Sequence, residues 1–109
     1  DDVRVLDFTA IIAGSYCTRM LADLGADVLK VEQPGGELMR HLAPLRGDHS
    51  TVFASLNSGK RSLVLDLKHK DAIALCKRLV SRYDVVVENF SPGVMSRLGL
   101  DYASLREVN

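Results

Sequence analysis

The chain has 109 residues, a length that fits one small domain rather than two. Its formal net charge is +0, so no global field attracts nucleic acid or a membrane surface, and we expect neither as a partner. We find no run of about 18 apolar residues that would indicate a transmembrane helix, and no signal peptide is visible. A cytoplasmic location is expected from the two cysteines, which are isolated from each other in the sequence. Cys17 and Cys76 lack metal-ligand spacing and are predicted to be reduced, buried thiols.

Residues 3–8 form a short β-branched and aromatic run that predicts a first strand, and residues 9–14 are predicted to be a loop. A helix follows, with Ser15 as its N-cap and Gly25 as its stop. Its apolar face is predicted from the spacing i, i+3, i+4, i+7 of Cys17, Met20, Leu21 and Leu24. Residues 28–31 predict a second strand that ends at Glu32.

Residues 33–61 are the least regular part of the chain, and such a length predicts a functional loop or one that contains a short helix, here at 52–56. A third strand is predicted at 63–65. The clearest helix begins at Asp71, and its apolar face consists of Ala72, Leu75, Cys76, Leu79, Val80 and Tyr83.

The last quarter of the chain begins with Val85-Val86-Val87, which predict a fourth strand. Ser91 is predicted to cap the next helix, with Pro92 at its first position, where a missing N–H costs nothing. Asp101 is predicted to cap a final short helix through Leu105.

Strands separated by helices of about three turns pair in parallel through right-handed crossovers. The order of elements therefore predicts an α/β fold with a Rossmann-like, doubly wound parallel sheet. Ligands bind such sheets outside the carboxyl ends of the strands. The segments that follow the predicted strands are 9–15, 32–36, 66–68 and 88–91.

Two nucleotide-binding motifs are incomplete in this chain. The first turn after a strand has a single glycine, Gly14, so the dinucleotide fingerprint is missing, although Glu32 stands where its acidic residue belongs. Residues 58–62 resemble the end of a phosphate-binding P-loop, but a strand rather than a helix follows. Lys60 and Arg61 are then either a solvated basic turn or cations that help to hold an anionic group.

The sequence offers no candidate metal site or catalytic triad. His41, His49 and His69 share no ligand spacing and give no Ser-His-Asp or Cys-His arrangement. Asp7, at the end of the first strand, is either a catalytic carboxylate or a hydrogen-bonded structural acid, and the structural role is the more common one at such a position.

Several motifs together form a pattern that covers essentially the whole chain. They include VRVLDFT at 3–9, LADLGADVLKVE at 21–32, KRSLVLDLK at 60–68 and DVVVENF at 84–90, and the shorter pieces are Ala13-Gly14, Pro34-Gly35-Gly36, Leu56-Asn57, Pro92-Gly93 and Leu98-Gly99. In this order they strongly resemble the N-terminal part of the family III CoA-transferases, also called the CaiB/BaiF family.

The resemblance implies a fragment, with residues 1–109 as the N-terminal CoA-binding α/β part of a larger protein that forms an interlocked homodimer. It implies acyl-CoA transfer between carboxylic acids through an aspartyl-acyl anhydride, with coenzyme A thioesters as substrates and no tightly bound cofactor. The aspartate nucleophile lies beyond this chain, so no catalytic residue is assigned here. Two alternatives remain: an α-methylacyl-CoA racemase of the same family, and a non-catalytic nucleotide-binding module.

The resemblance also implies a set of coenzyme A contacts. Leu65, Asp66, Leu67 and Lys68 match the segment that lines the adenine and ribose end, and Arg97 matches a basic residue directed at the phosphates. The other matching positions are Ile12 and Ala13 in the first turn and Asn89, Phe90 and Ser91 after the fourth strand. Ile12 stands where formyl-CoA transferase has glutamine, and Gln33 stands where several members have an arginine, for which Arg40 or Arg46 could substitute.

The isolated 109-residue piece is expected to be inactive. It is also expected to be poorly stable, because a partial parallel sheet leaves an open edge and apolar faces uncovered.

Overall fold

The computed structural model describes residues 3–109, and its centre is a four-stranded parallel sheet. The strands are β1 (Arg4–Asp7), β2 (Asp27–Glu32), β5 (Arg61–Val64) and β6 (Val85–Val87), in the order β5-β2-β1-β6. Helices α1 (Ala13–Asp23), α3 (Lys70–Val80), α4 (Val94–Leu98) and α5 (Tyr102–Arg106) connect or follow them. The predicted α/β fold with a parallel sheet is confirmed.

The chain changes direction across the sheet at β1. From β1 it moves outward to β2 and then β5, and it returns to place β6 on the other side of β1. Leu6 stands opposite Leu29 of β2 on one side and Val86 of β6 on the other. The topological switch point is therefore the gap between β1 and β6, where the loops after these two strands diverge and a crevice forms.

The irregular segment between β2 and β5 contains several short elements. A 3-10 helix (Leu38–His41) precedes the hairpin of β3 (Leu45–Arg46) and β4 (His49–Ser50), and α2 (Thr51–Asn57) follows. The Ser50 hydroxyl accepts a hydrogen bond from the Phe53 N–H at 3.2 Å and so caps α2. The short helix predicted at 52–56 is confirmed.

One hydrophobic core lies between the sheet and the helices α3, α4 and α5. Burying a side chain of leucine or phenylalanine size contributes about 1.5–3 kcal/mol, so this cluster accounts for much of the fold's stability. Its buried members are Leu6, Phe8, Leu29, Val31, Cys76, Val80, Met95, Leu100 and Leu105. The predicted inward face of α3 is confirmed, since Ala72, Cys76 and Val80 are buried.

The orientation predicted for α1 is wrong. The helix begins at Ala13 with Ile12 as its N-cap, and it buries Gly14, Ser15 and Thr18. Of the predicted apolar face, Cys17, Met20 and Leu24 are exposed, with Leu24 84% exposed, and only Leu21 is half-buried. The inner side consists of small polar residues because it packs on the polar carboxyl end of β1. Ser15 is therefore a buried member of the helix and does not cap it.

The start predicted for the helix after β6 is also wrong. Ser91 and Pro92 are exposed residues that precede α4, and Gly93 is its N-cap in the left-handed region, at φ 89°. A residue without a side chain suits that conformation, which explains the shift. By contrast, Asp101 directly precedes α5 as predicted, and its carboxylate accepts a hydrogen bond from the Ser104 hydroxyl at 2.5 Å.

The two cysteines differ in environment. Both are free, but Cys17 is exposed, so the prediction that it is buried is wrong. Cys76 is fully buried in the core, and burial raises the pKa of its thiol to about 11, which keeps it protonated and unreactive. Within residues 3–109, no helix is both long and apolar enough to cross a membrane.

Candidate functional site

A cleft of about 620 Å³ lies at the carboxyl ends of the strands, where the topology predicts a ligand site. Its walls are mainly apolar, with a few polar groups among them, as in sites for small organic ligands. The lining residues are Phe8, Thr9 and Ala10 after β1, residues 31–34 at the end of β2, Glu37 and Leu38, residues 65–68 after β5, Phe90 after β6, and Leu98 of α4.

Five of the ten residues singled out from the sequence line this cleft: Leu65, Asp66, Leu67, Lys68 and Phe90. The segment 65–68 directly follows β5 and forms one wall, with Lys68 exposed at its rim. Its backbone is held in a turn, because the Asp66 carboxylate accepts a hydrogen bond from the Lys68 N–H at 3.0 Å. The wall therefore offers the apolar side chains of Leu65 and Leu67 together with one carboxylate, Asp66, and one cation, Lys68.

The other five predicted residues lie outside the lining of the cleft. Ile12 and Ala13 are exposed at the start of α1, and Ser91 is exposed before α4. Arg97 is exposed on α4 and lies over Gly93, where a side-chain carbon would come within 3.2 Å of its guanidinium. Asn89 forms two hydrogen bonds with the backbone of Ala10: its side-chain amide accepts from the Ala10 N–H and donates to the Ala10 carbonyl, both at 2.9 Å.

Asn89 therefore closes the switch point by joining the loop after β6 to the loop after β1. Gly14 makes this close approach possible, because a side-chain carbon there would come within 2.6 Å of Thr9 and 3.0 Å of Asn89. The single glycine of the first turn is thus required for packing between loops. Nothing in that contact requires a dinucleotide.

Two buried ion pairs lie beneath the cleft. The Lys60 ammonium is 3.0 Å from the Asp7 carboxylate, and the Lys30 ammonium is 3.1 Å from Glu37, with all four side chains at most 6% exposed. Asp7 also accepts hydrogen bonds from the Thr9 N–H and from the hydroxyls of Thr9 and Thr18. A carboxylate satisfied from so many sides has the structural role favoured for Asp7.

The interpretation of Lys60 and Arg61 as a solvated basic turn fits Arg61, whose side chain is 63% exposed, but it does not fit Lys60. Lys60 is not a solvated residue of a basic turn, since its ammonium is buried and also donates to Asn57 and to the Ser15 carbonyl. Burial lowers the pKa of Lys60, and the charge of Asp7 opposes this. Arg61 forms a bidentate pair with Asp27 at 2.8 Å. Both cations already have carboxylate partners and neither lines the cleft.

Glu32, at the end of β2, is a second buried carboxylate with several donors. Arg40 donates to both of its oxygens at 2.6 and 2.7 Å, and the Ser62 hydroxyl and the Glu37 N–H donate as well. Burial by itself raises the pKa of Glu32, but these hydrogen bonds outweigh it and lower the pKa to about 2. Arg40 also stacks on the Phe53 ring at 4.0 Å, so its guanidinium is held between Glu32 and an aromatic side chain.

The low pKa of Glu32 predicts acid sensitivity. Because the folded pKa of about 2 lies below the ordinary 4.5, this carboxylate stabilises the fold fully above pH 4.5 and loses its contribution as the pH falls towards 2. The difference in free energy of unfolding between the wild type and Glu32→Gln should shrink by about 3 kcal/mol over that range. Urea denaturation at a series of pH values measures it. A difference that stays constant down to pH 2 would contradict the assignment.

The cleft is suited to binding rather than to bond-breaking by its own groups. Its lining contains no histidine or cysteine among residues 3–109, and its buried acids Glu32 and Glu37 are already paired with Arg40 and Lys30. What remains is a mainly apolar slot with Phe90 on one side, and it carries one partly exposed carboxylate, Asp66, and one exposed cation, Lys68. Such a slot fits a planar apolar group attached to an anion.

Comparison with known families decides the kind of protein. The model of CoA-transferase family III matches residues 1–109. The chain belongs to CoA-transferase family III. The resemblance seen in the sequence motifs is thereby confirmed.

Relatives within family III are similar along the whole chain. The chain is 50% identical to succinyl-CoA:mesaconate CoA-transferase of Haloarcula hispanica, covering all of this chain and 29% of that protein. It is 44% identical to formyl-CoA:oxalate CoA-transferase of Rhodopseudomonas palustris, covering all of this chain and 26% of that protein. The chain thus spans less than a third of the length of these relatives.

Solved structures of family III proteins have the same fold. A CaiB/BaiF family protein from Brucella suis superposes with a TM-score of 0.91 at 39% identity, over 98% of this chain and 30% of that one. The Rv3272 protein of Mycobacterium tuberculosis gives a TM-score of 0.91 at 45% identity, with the same coverage. The α/β architecture described above is the architecture of the family.

Sequence reasoning missed the buried ion pairs of this family III chain and much of the cleft wall. Phe8, Glu37, Leu38 and Leu98 line the cleft but were neither in the strand-end segments nor among the predicted contacts. One signal was present for the ion pairs: Lys30 interrupts the apolar run of β2, and a lysine inside a buried strand requires a partner.

Proposed function

We propose that the full-length protein is an acyl-CoA transferase that moves coenzyme A between carboxylic acids, and that residues 1–109 are its N-terminal CoA-binding part. Membership of family III and the names of its relatives support this proposal. In this proposal the acyl group passes through an aspartyl anhydride whose nucleophile lies beyond Asn109. The protein acts as a homodimer in the cytoplasm, without a tightly bound cofactor.

The observation that carries the proposal is the cleft at the carboxyl ends of the strands. Coenzyme A has an adenine ring that favours an apolar or aromatic wall and phosphates that favour cations. Leu65, Leu67 and Phe90 supply such a wall, and Lys68 supplies the exposed positive charge. Asn89 contributes by fixing the Ala10 backbone next to the ligand.

Thioester exchange with the full-length protein tests this proposal. A carboxylic acid should acquire coenzyme A from an acyl-CoA donor, and isotope-labelled acid should appear in the thioester. The names of the relatives favour this reaction over racemisation, which would show as exchange of the proton next to the thioester without transfer. Binding of coenzyme A with neither reaction would contradict the proposal and favour the non-catalytic module.

Arg97 provides a test of which phosphate the α4 segment contacts. If its guanidinium reaches the 3′-phosphate once coenzyme A is bound, Arg97→Ala should lower the affinity for coenzyme A by about tenfold and the affinity for dephospho-CoA by much less. Isothermal titration of the full-length protein with both ligands measures this. An equal loss for the two ligands would rule out the 3′-phosphate contact, and Arg106→Ala, an exposed arginine on α5, is the matched control.

A further inference from the structure

The backbone of the turn at Thr9, Ala10 and Ile11 is held almost entirely by side chains from elsewhere. Its N–H groups donate in order to Asp7 at 2.8 Å, Asn89 at 2.9 Å and Glu37 at 3.0 Å. The Thr9 carbonyl accepts from Lys30 and the Ala10 carbonyl from Asn89, both at 2.9 Å. In most proteins, regular secondary structure supplies the hydrogen-bond partners of the backbone groups. In this turn four side chains supply them, so those side chains determine its geometry.

Ile11 is the unusual residue in this turn. Its φ is 66°, and within residues 3–109 no other residue apart from glycines has a positive φ. A β-branched side chain is strained in the left-handed region, and such strain persists only where surrounding contacts impose it. The contact that Ile11 itself makes is the hydrogen bond from its N–H to Glu37.

Glu37 is well placed to impose this conformation. Its side chain is 6% exposed, and the same oxygen that accepts from Ile11 lies 3.1 Å from the Lys30 ammonium. Its other oxygen accepts from the Met39 N–H at 3.1 Å, and its own N–H donates to Glu32. The carboxylate is therefore held in place by contacts other than its hydrogen bond to the turn.

We propose that Glu37 is a positioning residue for the transfer reaction, which it serves by holding Ile11 in the left-handed conformation. Thr9 and Ala10 line the cleft, so relaxation of Ile11 would move this wall and the exposed Ile12 beyond it. The inference rests on the proposed function for its kinetic readout, but its structural readout is independent of activity.

The decisive comparison uses two neutral double variants of the full-length protein. Lys30→Met/Glu37→Gln removes the buried charges but keeps an amide oxygen for the Ile11 N–H. Lys30→Met/Glu37→Leu has nearly the same volume and no acceptor. We expect kcat/KM for transfer to be about tenfold lower in the leucine variant than in the glutamine variant, the size expected for losing one conformer of a strained residue. Equal values would overturn the proposal.

Rescue separates positioning from general destabilisation. Glycine adopts a positive φ without strain, so adding Ile11→Gly to Lys30→Met/Glu37→Leu should restore most of the lost kcat/KM. The matched control is Ile12→Gly, since Ile12 has φ −113° and needs no such relief. Additive losses with Ile11→Gly, or equal rescue by Ile12→Gly, would overturn the proposal.

Amide hydrogen exchange at Ile11 gives a readout that needs no activity. Exchange should be about tenfold slower with glutamine than with leucine at position 37, and no difference would overturn the proposal even if transfer is measured. If the leucine variant does not fold, Glu37→Asp replaces it. The shorter side chain keeps the charge beside Lys30 but withdraws the carboxylate oxygen from the Ile11 N–H. The same loss of kcat/KM and the same recovery with Ile11→Gly are expected. If the wild type shows no transfer but exchange at Ile11 is still slower with glutamine than with leucine at position 37, the proposed function is refuted, while the role of Glu37 in holding the Ile11 conformation is retained.

Discussion

Replacement of Asp7 by alanine is expected to lower the free energy of unfolding by about 3–5 kcal/mol. Asp7 is fully buried and pairs with the buried ammonium of Lys60 at 3.0 Å, so its removal leaves an uncompensated charge inside the protein. The hydroxyl of Thr18 also loses its 2.7 Å partner. Chemical denaturation of the full-length protein, followed by circular dichroism, measures the loss.

The matched control for Asp7 is the exposed pair between Arg61 and Asp27. Its side chains are 63% and 46% exposed, so water already solvates both charges, and Asp27→Ala should cost about 1 kcal/mol or less. Both pairs link a β-strand acid to a cation from the region of β5, and they differ chiefly in burial. If Asp7→Ala destabilised the protein no more than Asp27→Ala, the structural role given to Asp7 would be wrong.

Reversal of the charge at Lys68 is expected to weaken coenzyme A binding by about 30- to 100-fold. Lys68 lies exposed at the rim of the cleft, and a carboxylate there would repel the ligand's phosphates with a few kcal/mol at short range. Lys68→Gln, which removes the cation without adding an anion, should lower the affinity for coenzyme A by about tenfold. Titration calorimetry measures the affinities of both variants. Their differences from the wild type should become smaller as the salt concentration increases.

A neighbouring lysine controls for the general charge of the surface. Lys70 is exposed in the first turn of α3 but does not line the cleft, so Lys70→Glu should change the affinity by less than about threefold at physiological salt. Equal effects of Lys68→Glu and Lys70→Glu would show that binding responds to overall charge and that the cleft is not the site.

The parallel α/β sheet was predictable because its signals are local. Three valines at 85–87 and the apolar run at 28–31 predict strands, and the 3.6-residue period of Ala72, Cys76 and Val80 predicts the buried face of α3. The strand-end rule then indicated residues 66–68 as part of a site, and the family resemblance added Leu65. These residues do line the cleft, because topology alone brings the carboxyl ends of the strands together.

The remaining features depend on contacts between residues distant in the sequence. Asp7 and Lys60, and likewise Ala10 and Asn89, become neighbours only through the parallel pairing of the strands, and no local pattern indicates which polar group finds which partner. The orientation of α1 was mispredicted for a related reason. Its apolar stripe, which includes Leu24, points outward, because the polar side of the helix meets the polar end of β1.

A crystal structure of the full-length protein with coenzyme A tests the central claim most directly. We predict that the adenine end lies in the cleft at the carboxyl ends of β1, β2 and β5, against residues 65–68 and Phe90, with Asn89 still bound to the Ala10 backbone. Coenzyme A bound elsewhere on the protein, with this cleft empty, would contradict it.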